Sequence, residues 1–219
     1  MSYKVLILPS LAAAAGLAFV GSGYAFARAS GPPDEIAGTI TWSLTREAED
    51  PERPGRRESA TTTVTMDVVL RVARSRAGVT LFQVREGTWT AVGTGSVEDR
   101  SAGCRLTRDT DVDLRGTFQA ANNVVTLLQS HAADRALLNF SLGEGDGSVI
   151  ARSRYCDGVE VSQNQTYFWA ISDATVDVIV RRGARGSLEF VVAKEETVPC
   201  GAGATCARTA SGVLAGLAQ

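Results

Sequence analysis

Thr61-Thr62-Thr63-Val64-Thr65-Met66-Asp67-Val68-Val69-Leu70-Arg71-Val72-Ala73 alternates in hydropathy with a period of two. Val64, Met66, Val68, Leu70 and Val72 take every second position, and Thr63, Thr65, Asp67 and Arg71 lie between them. Successive side chains of an extended strand point to opposite faces, so the stretch has one apolar and one polar face. Its β-branched content suits a strand. Ser75-Arg76-Ala77-Gly78 reads as a turn, and two short runs follow, Val79–Val84 and Thr88–Val97. Thr61 to Val97 is therefore expected to form a meander at the centre of an antiparallel sheet.

The same period extends outward in both directions. Ile36, Ile40, Trp42 and Leu44 share one face of a first strand, and Gly38 interrupts it, as at a bulge or a close backbone approach. Between that strand and the meander, Thr45–Ala60 is crowded with charge and contains Pro51, Pro54 and Gly55. Such a segment is expected to be a solvated hairpin loop. Downstream, Asp109-Thr110-Asp111-Val112-Asp113-Leu114-Arg115 turns Val112 and Leu114 inward and leaves the carboxylates in water. A calcium loop would need a sharp-turn glycine and a terminal glutamate, where Ala120 stands instead.

Strands are expected at 123–129 and 136–142, with a helical turn at 130–135 between them. Gly143-Glu144-Gly145-Asp146-Gly147 is a turn; Val149, Ala151 and Ser153 then alternate with Ile150, Arg152 and Arg154. Val159–Ile171 carries the aromatic run Tyr167-Phe168-Trp169, and Val176–Val180 and Leu188–Ala193 complete a series of hairpins. No long amphipathic helix is visible, so the fold class is all-β, an antiparallel meander forming a sandwich or a closed barrel. The domain is expected to span 28–199, with 200–219 a small disulfide loop and a flexible tail.

Residues 1–27 have the pattern of a signal peptide: Lys4, an apolar core over Val5–Val20, and Ala25-Phe26-Ala27 before the cut. Its removal leaves roughly 190 residues, enough for one domain with its own core. The net charge of −2 gives no basis for nucleic-acid binding. Cys104, Cys156, Cys200 and Cys206 all follow the cleavage point, and an even number in an exported chain implies disulfides. The expected pairs are Cys104–Cys156 and Cys200–Cys206, the second closing a loop of small residues. The expected location is the periplasm or the extracellular space, with no membrane span after cleavage.

The sequence supports little chemistry. His131 is the single histidine, and no Gly-x-Ser-x-Gly elbow, P-loop or dinucleotide fingerprint occurs. No cofactor or metal is expected. Glu144, Asp146, Asp157 and Glu160 could supply a carboxylate pair for hydrolysis, a weak signal in a chain with 24 acidic residues. Arg181, Arg182 and Arg185 read as a solvated hairpin tip. Tyr155, Tyr167 and Trp169 are the candidate ligand contacts, because one face of an aromatic strand can form a binding platform. Three functions follow: a non-enzymatic module binding an envelope or extracellular macromolecule or small ligand, a carboxylate-dependent hydrolase, or a small barrel carrying an apolar ligand. The last expects a cavity lined by Phe118, Phe140, Phe168 and Phe190.

Overall fold

The computed structural model describes residues 33–100, 103–119, 125–142, 145–164, 173–182, 187–201 and 203–216. Its strands are β1 (Glu35–Glu49), β2 (Arg56–Arg76), β3 (Val79–Asp99), β4 (Leu106–Gln119), β5 (Val125–Ser130) and β6 (Arg135–Ser141). They continue with β7 (Asp146–Arg154), β8 (Glu160–Asn164), β9 (Asp173–Arg182), β10 (Leu188–Pro199) and β11 (Ala204–Gly216). The fold is all-β, with a closed eight-stranded antiparallel barrel.

The barrel runs β1-β2-β3-β5-β6-β9-β10-β11 and back to β1. β3 is its branch point. One edge of β3 pairs with β2 along its whole length. The other edge pairs with β5 over Val79–Gln83 and with β4 over Glu86–Asp99. The changeover falls at Arg85, an extra residue in the β2–β3 register, and such a bulge bends and twists a strand. The molecule therefore has two halves that share β10, β11, β1, β2 and β3. One half is closed by β5, β6 and β9; in the other, β4, β7 and β8 extend the sheet, which is open among the described residues.

Period-two burial builds the closed half. Ile36, Ile40, Val64, Met66, Val68 and Leu70 are buried on β1 and β2, as the alternation predicts. Phe82, Leu127, Leu138, Val178, Phe190 and Leu214 meet them from the other strands. Phe82 packs edge-on against Phe190 with ring centroids 5.7 Å apart, and Trp42 does the same with Phe140 at 5.6 Å. Gly38 marks a close approach and no bulge. A Cβ there would lie 2.0 Å from the carbonyl oxygen of Val213 on β11.

Four expectations need correction. Val79–Val84 and Thr88–Val97 are one continuous strand, because a bulge at Arg85 absorbs the apparent break. Thr45–Ala60 is mostly strand, with only Asp50–Gly55 outside β1 and β2. Its charges pair across the hairpin, Arg46 with Glu58 and Arg57 with Glu49. The segment at 130–135 contains a non-helical turn, His131–Asp134. The flexible tail assigned within 200–219 is instead β11, hydrogen-bonded to β1 on one side and β10 on the other. Small residues hid this strand, and the barrel needs it to close.

Disulfides join Cys104 to Cys156 and Cys200 to Cys206, with Cα separations of 5.7 and 5.8 Å. Both lie at the open end. Cys104 and Cys156 tie the β3–β4 connection to the β7–β8 connection, and Cys200 and Cys206 tie β10 to β11. Among the described residues, Ala193–Pro199 of β10 pairs only with β11, and β8 pairs only with β7. No helix among the described residues is long and apolar enough to cross a membrane.

Candidate ligand-binding face

The inward side of the shared strands changes character where β5, β6 and β9 give way to β4 and β7. Inward positions are large in the closed half: Met66, Phe82, Leu127, Leu138, Phe190 and Leu214. On the same face of the open half several shrink, to Ala48, Ala60, Ala91, Gly93, Ala151 and Ala204, while Val97, Val112, Leu114 and Val149 stay larger. A barrel core filled by bulky side chains thus continues into a face of smaller ones, of which Ala60, Ala91, Ala151 and Ala204 are themselves buried.

Charge appears on that face too. Arg46 continues the inward series Ile40, Trp42, Leu44 on β1, and Glu58 and Arg56 continue Val64, Thr62, Ala60 on β2. Lys194 and Glu196 continue Phe190 and Val192 on β10, and Arg208 lies between Cys206 and Ala210 on β11. The register joins them across the sheet: Glu196 opposes Arg208, Arg208 opposes Leu44, and Leu44 opposes Thr62. Each carboxylate is held by two cations. Glu58 accepts from Arg46 at 2.7 Å and from Arg56 at 2.9 Å. Glu196 is 3.1 Å from Lys194 and 3.5 Å from Arg208. The Arg46 and Glu58 side chains are each 29% exposed, against 76% and 71% for the outward pair Arg57 and Glu49. The inward charges are therefore half-sheltered, where ion pairs are screened less than at an open surface.

This pairing sets the acidities. The hydrogen bond from Arg46 holds the Glu58 carboxyl below its ordinary 4.5, against the opposing effect of partial burial. The hydrogen bond from Lys194 does the same for Glu196. Inward cations also outnumber inward carboxylates: Arg46, Arg56, Arg108, Lys194 and Arg208 face Glu58, Asp99 and Glu196. The opposite side of the same face is mainly apolar, with Val97, Val112, Leu114, Val149 and Ala151 on β3, β4 and β7.

At the boundary between the halves stand two tryptophans. Trp42 rests on Phe140 of β6. Trp89 lies over Gly116 of β4 and Gly145 before β7; an added Cβ at either would fall 2.4–2.6 Å from ring atoms. The indole nitrogens of both, the Thr62 hydroxyl and Arg56 Nε are buried with no hydrogen-bond partner among the described residues. Buried polar groups are normally paired, so this concentration on one face marks it as unusual.

Tyr155 is 44% exposed, just beyond the end of β7. Tyr167 and Trp169 fall outside the described residues, as do Phe168, Glu144 and Arg185. Asp146 is exposed. Asp157 accepts from the Val159 amide at 3.0 Å, and Glu160 is bound by Arg154. Phe118, Phe140 and Phe190 are packed into the core cluster. Arg181 and Arg182 are exposed at the end of β9. His131 sits in the exposed β5–β6 turn, where Nε2 and the buried Thr80 hydroxyl share a 2.7 Å hydrogen bond. Asp109, Asp111 and Asp113 point outward, and Asp111 is paired with Arg152. Among the described residues, no group of three or more His, Cys, Asp and Glu side chains is placed to hold a metal.

No family model matches the chain, and a search of curated proteins finds no relative.

Proposed function

We propose that this chain is an exported, non-enzymatic binding module of the cell envelope or extracellular space, and that its ligand sits on the inward face of the open half. The observation that carries the reading is the change along the shared strands from bulky apolar to small and charged inward residues. A face needed only for stability gains more from continued apolar packing than from half-buried ion pairs, whose desolvation offsets their attraction. The disulfides at the open end support export, because such bonds persist in oxidising compartments.

The hydrolase alternative asks for a carboxyl group that keeps its proton near neutrality. Glu58 and Glu196 are driven the other way by their cationic partners, which makes them poor proton donors. Mass spectrometry of the mature protein under native conditions tests the binding reading. A small molecule retained by the wild type and lost from an Ala60→Trp variant that still unfolds cooperatively is the expected result. Turnover of a glycoside that Glu58→Gln abolishes would overturn it.

A further inference from the structure

Resting on that reading of the inward face, we propose that the ligand is an amphipathic organic anion, an apolar body carrying a carboxylate or a phosphate. The face is divided in a way that fits such a molecule. Its β10, β11, β1 and β2 side holds Lys194, Arg208, Arg46 and Arg56; its β3, β4 and β7 side holds Val97, Val112, Leu114, Val149 and Ala151, with Asp99 and Arg108 at its outer end. Glu58 and Glu196 are each already shared by two cations and Asp99 stands opposite Arg56, so five inward cations meet three carboxylates and positive charge is left over. An anion supplies the missing partner; an uncharged apolar molecule does not.

The orphaned atoms beneath the face suit the same chemistry, but each is itself closed to solvent and would meet a ligand only on local opening. Trp42, Thr62 and Trp89 are 2%, 1% and 3% exposed, yet their polar atoms have no partner among the described residues. Trp42 and Thr62 lie on neighbouring rows of the inward face, since Trp42 opposes Val64 and Leu44 opposes Thr62. Trp89 lies one row toward the closed half, opposite Met66. An indole N–H only donates, so its partner must be an acceptor. Arg56 Nε is likewise a donor without an acceptor. Carboxylate and phosphate groups consist of acceptor oxygens, and guanidinium binds both in a forked geometry.

Isothermal titration calorimetry of the mature, disulfide-bonded protein with four probes tests this, each held below its micelle concentration. The probes are dodecanoate, dodecyl phosphate, dodecanol and inorganic phosphate. At least one anionic amphiphile should bind about tenfold or more tightly than both dodecanol and inorganic phosphate, because charge-assisted hydrogen bonds add to the apolar contact. Which of the two binds better distinguishes a carboxylate from a phosphate ligand. The preference should shrink with added salt in the wild type, a readout that needs no variant. It should vanish in Arg46→Gln/Arg208→Gln. Dodecanol binding as tightly as the anions, with no salt dependence, overturns the anionic assignment but leaves the face as an apolar site, which Ala60→Trp would then block. Failure of both anionic amphiphiles to bind also overturns the assignment. The binding reading itself falls only if Ala60→Trp also leaves the natively retained molecule in place.

Discussion

The Trp89 indole lies so close over Gly116 that a methyl group on that glycine would come within 2.5 Å of two ring atoms. The two residues are register partners on β3 and β4, just beyond the point where β3 changes neighbours. The ring is too large to share that position with any side chain, so glycine on β4 is a condition for tryptophan on β3.

Gly116→Ala should therefore displace the ring and destabilise the fold by about 1–3 kcal/mol, as overpacking does. Thermal unfolding followed by near-ultraviolet circular dichroism measures this. A drop in Tm on the order of 5 °C is expected, with a changed aromatic signal before the transition. An unchanged aromatic signal would mean that the ring does not occupy the glycine site.

Acid should weaken the open half. Glu58, Glu98 and Glu196 each titrate at about 4.5 when unfolded and lower when folded, first through hydrogen bonds from Arg46, Arg100 and Lys194 respectively. A group with a depressed folded pKa contributes stability that is present above its unfolded value and is lost as pH falls through the folded one. Urea midpoints should accordingly hold steady above about pH 5 and fall below it. Glu58→Gln/Glu196→Gln should flatten that fall. A midpoint that rises on acidification would contradict the pairing.

The two disulfides should differ in weight. They close loops with sequence separations of 52 and 6 residues. In the chain-entropy account the longer stabilises by about 4 kcal/mol and the shorter by about 2. Chemical denaturation of Cys104→Ala/Cys156→Ala and of Cys200→Ala/Cys206→Ala measures the order directly. Equal losses would show that the loop-closure account does not describe this chain.

Ending the chain at Gly203 should abolish folding, whereas ending it at Gly216 keeps every residue of β11. The first truncation removes β11 and exposes the facing edges of β1 and β10 along their paired lengths. Circular dichroism of the two truncated forms decides it; a native β spectrum without β11 would show that the barrel closes by another route.

Alternation made β1, β2 and the Val112–Leu114 strand legible, because their inward residues are large and apolar. It also contained the candidate face in latent form. Arg46 has the same parity as Trp42 and Leu44, and Glu58 the same as Thr62 and Val64. Extrapolating that parity through the hairpin would have turned these charges inward. Charge density in Thr45–Ala60 instead suggested a loop, since cross-strand ion pairs between residues twelve apart leave no local trace. β11 was hidden for a related reason: its inward series of Ala204, Cys206, Arg208, Ala210, Gly212 and Leu214 is too small and mixed to register as apolar. Composition reports how greasy a position is, and an open face is built from positions that are not.

Among the described residues, the open half also has two margins without a strand partner, at β8 and at the outer segment of β10. Bare strand margins invite another chain to add its own backbone and begin a fibre. Here Lys194, Glu195, Glu196 and Pro199 occupy one, and Glu160 with its polar neighbours occupies the other, a strand of only five residues. Ionic side chains resist stacking against copies of themselves, proline withholds an amide, and a short margin offers little grip. Margins built in this way resist recruitment into aggregates.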